Sequence, residues 1–128
     1  QLLKGGALVV CAFRNPAKER ELADRGCEVL ALPNAAGKVD LPALMRELAA
    51  RGINELHVEA GFKLNGSLLR EGCVDELLVY LAPSLLGDAA GMFDLPPLAD
   101  LSERQRLFFH SVDRIGDDLR LLARFSPR

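Results

Sequence analysis

Strand-length apolar runs alternate with segments bounded by helix-capping residues, and this alternation is what most constrains the folds open to the chain. Ala7 to Phe13 is a continuous apolar run of strand length. Asn15-Pro16 then supplies an N-cap and a first-turn proline, and Gly26 stands where a helix places its C′ glycine. Glu28 to Leu32 is a second strand, ending at Pro33. Asp40 caps a second helix with Pro42 in its first turn, Leu41, Leu44, Met45 and Leu48 on one face, and Gly52 at its close. The alternation continues through the middle of the chain and predicts an α/β fold, with mainly parallel strands joined by right-handed crossovers and helices covering the sheet. The tail departs from that order. Arg106 to Val112 and Leu119 to Phe125 are strand-like runs around Asp113 to Asp118, so they read as a C-terminal antiparallel hairpin.

With 128 residues, 49% of them hydrophobic and 27% charged, the chain can bury one core, and residues 1–128 are expected to form a single domain. A net charge of −2, one tyrosine and no tryptophan offer neither a basic field nor stacking platforms, which argues against a nucleic-acid partner. Cys11, Cys27 and Cys73 are odd in number and lack C-x-x-C spacing. They read as small apolar residues of a reducing compartment. No apolar run is long enough to span a bilayer. Gln1 to Gly6 followed by Ala7 to Phe13 faintly resembles a signal peptide, but Arg14-Asn15-Pro16 follows and no A-x-A site is present. The segment is read as the first core strand of a cytoplasmic protein.

The stretch from Leu56 to Gly87 carries the functional signal. Leu56 to Ala60 reads as a strand, Gly61 to Gly66 as a loop, Ser67 to Glu71 as the start of a helix and Leu77 to Leu81 as another strand. Ligands of open α/β sheets bind beyond the carboxyl ends of strands, where the first amides of a following helix lack intrahelical acceptors and attract phosphate. Gly61 and Gly66 would let the backbone approach such a ligand, and Glu59, at the strand exit, could accept hydrogen bonds from ligand hydroxyls. Neither the G-x-G-x-x-G nor the G-x-x-x-x-G-K-[ST] spacing is present. The same residues also allow a plain structural role: Asn65 or Ser67 as a cap, Gly61 as a turn, and Glu59 paired with Lys63.

Val58-Glu59-Ala60-Gly61, Leu64, Gly66 to Leu69, Val74-Asp75-Glu76-Leu77, Tyr80-Leu81-Ala82-Pro83 and Leu85-Leu86-Gly87 together resemble the reductase domain of the bifunctional riboflavin-biosynthesis deaminase/reductase. The resemblance implies a dihydrofolate-reductase-like three-layer α/β fold. It also implies NADPH-dependent reduction of the ribosyl group of 5-amino-6-(5-phosphoribosylamino)uracil to the ribityl form. On this basis Glu59 is expected to contact the pyrimidine ribosyl phosphate, and Gly61, Phe62, Lys63, Leu64, Asn65, Gly66 and Ser67 to lie against NADPH, largely through backbone groups. Phe62 and Lys63 depart from the small residue or proline followed by threonine or serine that is commoner there, so a contact at these positions would be made by the backbone. The resemblance assigns no residue as the proton donor. Two alternatives share the fold: a non-catalytic nucleotide-binding or oligomerisation module, and a single-function reductase acting on the related diaminopyrimidinone.

Other constellations lead nowhere. His57-Val58-Glu59 matches the H-x-E half of a zinc deaminase signature, but the P-C-x-x-C half is absent, so no metal site is expected here. Zinc would belong only to the deaminase domain of the resembled enzyme. No serine lies in G-x-S-x-G. Asp75-Glu76 and Asp117-Asp118 are adjacent pairs, which strand geometry points to opposite faces. The chain starts at Gln1 directly before a core strand, without the earlier half of the resembled domain. The expectation is that this polypeptide alone is inactive, and that exposed apolar edges lead it to form a homo-oligomer.

Overall fold

The structure is a computed structural model that describes residues 6–126. The first five residues of the leader-like start, Gln1 to Gly5, lie outside the described residues. The chain divides into two compact units, Gln1–His57 and Val58–Arg128.

The first unit contains β1 (Leu8–Cys11), α1 (Pro16–Asp24), β2 (Glu28–Ala31) and α2 (Leu41–Ala50). β1 and β2 pair in parallel, with Leu8 opposite Glu28 and Cys11 opposite Ala31, and α1 is the crossover between them. The helix starts where the sequence predicts. Asn15 is extended and its side-chain oxygen accepts from the Lys18 amide at 3.1 Å, while Pro16 occupies the first turn, where its missing N–H has no intrahelical acceptor to lose. Asp40 does the same for α2, accepting from the Ala43 amide at 2.8 Å.

Both helices end in a Schellman motif. Gly26 and Gly52 take φ of 74° and 85°, and the amides of Cys27 and Ile53 reach back to the carbonyls of Leu22 (2.9 Å) and Leu48 (3.0 Å). Among the described residues of this unit, Cys27 and Leu41 are the buried apolar ones. Arg51, at the end of α2, holds both carboxylate oxygens of Glu28 at 2.7 Å and that of Glu47 at 2.8 Å. The guanidinium keeps the Glu28 carboxyl below its usual range.

The second unit contains α3 (Phe62–Arg70), β3 (Glu76–Leu81), β4 (Phe108–Ile115) and β5 (Asp118–Arg124). β5 is central and antiparallel to both neighbours. β4 and β5 form the expected hairpin, closed by Gly116-Asp117. Gly116 has φ of 62° and no non-glycine residue among those described has positive φ, the sign pattern of a type II′ turn. A bulge at His110 interrupts β4, between the pairs Phe109–Ala123 and Ser111–Leu122. Arg124 spans the sheet there, donating to Glu76 on β3 at 3.0 Å and lying 3.2 Å from Nδ1 of His110 on β4. Leu68, Leu69 and Ala123 are buried.

The α/β class stands, with parallel pairing in β1–β2 and β3 joined antiparallel to the C-terminal hairpin. Two local expectations fail. Residues 56–60, expected as a strand, belong to neither sheet among the described residues. Residues 61–66, expected as a loop, are helical from Phe62, five residues before the predicted helix start.

Candidate functional site

α3 begins without help from a side chain. Gly61, extended at φ −91° and ψ 175°, occupies the N-cap position, and no side-chain hydrogen bond caps the helix. The first bond of the helix runs from the Asn65 amide to the Gly61 carbonyl at 3.1 Å. The amides of Phe62, Lys63 and Leu64 precede it and therefore have no acceptor within the helix. Asn15 and Asp40 serve such amides in α1 and α2; glycine at 61 cannot. Gly61 to Leu64 are exposed, and a Cβ built on Gly61 would meet nothing within 4 Å. This end of α3 thus carries amide donors and the positive end of the helix dipole. Glu59, also exposed, lies two residues ahead of Gly61 in the same unit. Together they supply donors suited to an anion and a carboxylate suited to hydroxyls.

Asn65, Gly66 and Ser67 are placed differently from the other predicted site residues. All three lie in α3 behind its leading residues 62–64, and each is used within the protein. The Asn65 carboxamide donates to the carbonyls of Ala60 (3.1 Å) and Met92 (3.3 Å). Ser67 donates its hydroxyl to the Lys63 carbonyl at 3.1 Å and accepts from Arg70 at 3.0 Å. Gly66 is buried, and a Cβ there would overlap the backbone of Asp94, lying 2.7 Å from both its nitrogen and its carbonyl carbon. Its glycine thus permits a loop to lie directly on the helix. Gly66, expected in a loop from the sequence, lies within the helix.

The loop in contact is the segment around Asp94, part of the long connection between β3 and β4. The Asp94 amide donates to the Phe62 carbonyl at 3.0 Å, and the Arg70 guanidinium donates to the Asp94 carbonyl. The Arg70 and Asp94 side chains also approach to 4.0 Å. A Cβ on Gly91 would stand 3.6 Å from the Phe62 ring. Residues 91–95 are thereby stitched along α3 from its first turn to its last. Sequence reasoning missed Arg70, Met92 and Asp94. The one local hint was a glycine in the middle of a helix, where it lowers helix propensity unless close packing requires it.

Among the described residues, no group of three or more His, Cys, Asp or Glu side chains is placed to hold a metal. No helix among them is long and apolar enough to cross a membrane.

A family model described as the RibD C-terminal domain matches residues 1–121. The chain is 44% identical over 91 residues to the riboflavin biosynthesis protein RibD of Escherichia coli (strain K12), an alignment covering 70% of this chain and 25% of that protein. It is 33% identical over 97 residues to a 5-amino-6-(5-phosphoribosylamino)uracil reductase of Buchnera aphidicola, covering 71% of this chain and 44% of the relative. Among solved structures, Acinetobacter baumannii RibD superposes with a TM-score of 0.75 at 28% identity, covering 91% of this chain and 30% of that one. The chain thus spans about a quarter of the length of the RibD proteins it matches.

Proposed function

The chain belongs to the RibD C-terminal domain family, and on that premise we propose that it is part of an NADPH-dependent reductase of riboflavin biosynthesis, converting the ribosyl group of 5-amino-6-(5-phosphoribosylamino)uracil to the ribityl form. The observation that carries the reading to particular residues is the uncapped, exposed start of α3 with Glu59 just before it. The residues present fit the cofactor. Amides of 62–64 would hold a phosphate of NADPH, and Gly61 leaves the backbone open to close approach. Asn65, Gly66 and Ser67 complete the segment by fixing the helix that presents those amides.

NADPH, when bound, supplies the hydride. The protein's part is to orient the acceptor carbon against it and to keep water away. Glu59 binds the ribosyl hydroxyls through its carboxylate in this reading. The family match, running across both units, supports taking residues 1–128 as the C-terminal part of one reductase domain. Exposed Leu85, Leu86 and Phe109 support burial against further protein, as in a homo-oligomer. The reductase chemistry of the relatives supports a cytoplasmic protein acting on a small molecule.

The test is pyrimidine-dependent oxidation of NADPH by a full-length reductase containing this domain and by its Glu59→Gln variant. A ground-state contact at Glu59 raises KM for the pyrimidine by about tenfold or more and leaves kcat nearly unchanged. No pyrimidine-dependent oxidation by the full-length reductase that contains this domain would refute the proposed activity.

A further inference from the structure

The 91–95 segment is held on α3 by bonds at both ends of the helix, and one side chain in that set also reaches the turn where the helix begins. Asn65 donates one hydrogen bond to Ala60, on the entry side of Gly61, and one to Met92 in the segment. The Asp94 amide closes the same region by donating to Phe62, whose own amide is among those at the helix start. Gly66 removes the Cβ that would push the segment away. The entry turn has no side-chain cap to fix it. Behind it, Asn65 bonds to carbonyls on both the turn and the segment.

We propose that Asn65 is a positioning residue for cofactor binding: its carboxamide ties the entry turn of α3 to the 91–95 segment and thereby aims the amides of residues 62–64. This inference rests on the proposed NADPH contact at the start of α3. A carboxamide serves this role because both partners are carbonyl oxygens, so the group between them must offer two N–H donors. A carboxylate would oppose both, and a methyl group would satisfy neither.

The experiment compares unmodified protein with Asn65→Ala, Asn65→Asp and Asn65→Gln, measuring the NADPH dissociation constant, the pyrimidine KM and amide hydrogen exchange over residues 91–95. Asp40→Ala, which removes the cap of α2, is the control for loss of stability alone. The expected result is an NADPH dissociation constant raised about tenfold in Asn65→Ala, and further in Asn65→Asp. Asn65→Gln, which restores the donors, should recover most of the affinity. Exchange over 91–95 should quicken in the Ala and Asp variants, while the pyrimidine KM and the Asp40→Ala dissociation constant stay near the unmodified values.

NADPH binding by Asn65→Ala equal to that of unmodified protein overturns the proposal and leaves the reductase reading intact. Equal loss of affinity in Asp40→Ala overturns it as well, since stability would then explain the effect. Failure of unmodified, folded protein to bind NADPH overturns the functional reading and the proposal together.

Discussion

Replacing Gly66 by alanine should destabilise the protein, although helix propensity alone predicts the opposite. Gly66 lies five residues into α3, and in an open helix Gly→Ala gains about 1 kcal/mol. Here the added methyl would lie 2.7 Å from the nitrogen and the carbonyl carbon of Asp94, with backbone on the opposing side and no flexible side chain to yield. Either the helix or the 91–95 segment must move. Overpacking of this kind costs about 1–3 kcal/mol. Moving the segment also strains the bonds from the Asp94 amide to Phe62 and from Arg70 to the Asp94 carbonyl, each contributing about 1 kcal/mol.

The net expectation is a loss of about 2–4 kcal/mol once the propensity gain is subtracted. Urea denaturation followed by circular dichroism reads it directly. Gly91→Ala is the companion variant, because its Cβ would stand at an ordinary 3.6 Å from Phe62, without positive φ. It should change stability by less than about 1 kcal/mol. Stabilisation by Gly66→Ala would refute the close approach of Asp94 to α3.

Three further outcomes follow from the same geometry. Asp40→Ala removes the carboxylate that accepts from the Ala43 amide and should lower stability by about 1 kcal/mol, with a matching shift of the urea midpoint. The Asp113 carboxyl is held below its usual range, first by its hydrogen bond from Arg120 and then by Ser111. A carboxylate with a depressed folded value adds stability that is fully present above the ordinary value of about 3.9 and is lost as pH falls through the lower folded one. Arg120→Gln should therefore weaken the pH dependence of stability below about pH 4, measured as urea midpoint against pH, and an unchanged acid limb would count against the pairing. Arg70→Ala should release the Asp94 carbonyl and quicken hydrogen exchange in residues 91–95 before it alters exchange in β5.

Much of the fold was legible because its signals are local. Asn15-Pro16 and Asp40 announce helix starts through side chains that bond within three residues, and Gly26 and Gly52 announce ends through a backbone angle only glycine adopts readily. The hairpin was legible from its two strand-like runs, although its turn is Gly116-Asp117 alone, with residues 113–115 in β4 and Asp118 in β5. The start of α3 was misread because Gly61 and Gly66 look alike in sequence and do different things. Gly61 occupies the N-cap position of a helix and Gly66 lies within it, where the reason for a glycine is Asp94, 28 positions further along. Residues 56–60 have the apolar composition of a strand, and composition does not specify whether a ladder forms. The candidate site was legible as a place, through Glu59 and Gly61. Its support by Arg70, Met92 and Asp94 depends on contacts across more than twenty residues, which no local pattern encodes.

The most direct test of the central claim is a titration of isotope-labelled protein with NADPH, followed by backbone amide NMR shifts. NADPH should produce saturable shifts centred on residues 61–64, with smaller changes over 91–95. A folded protein whose amides at 61–64 do not respond to NADPH would contradict it.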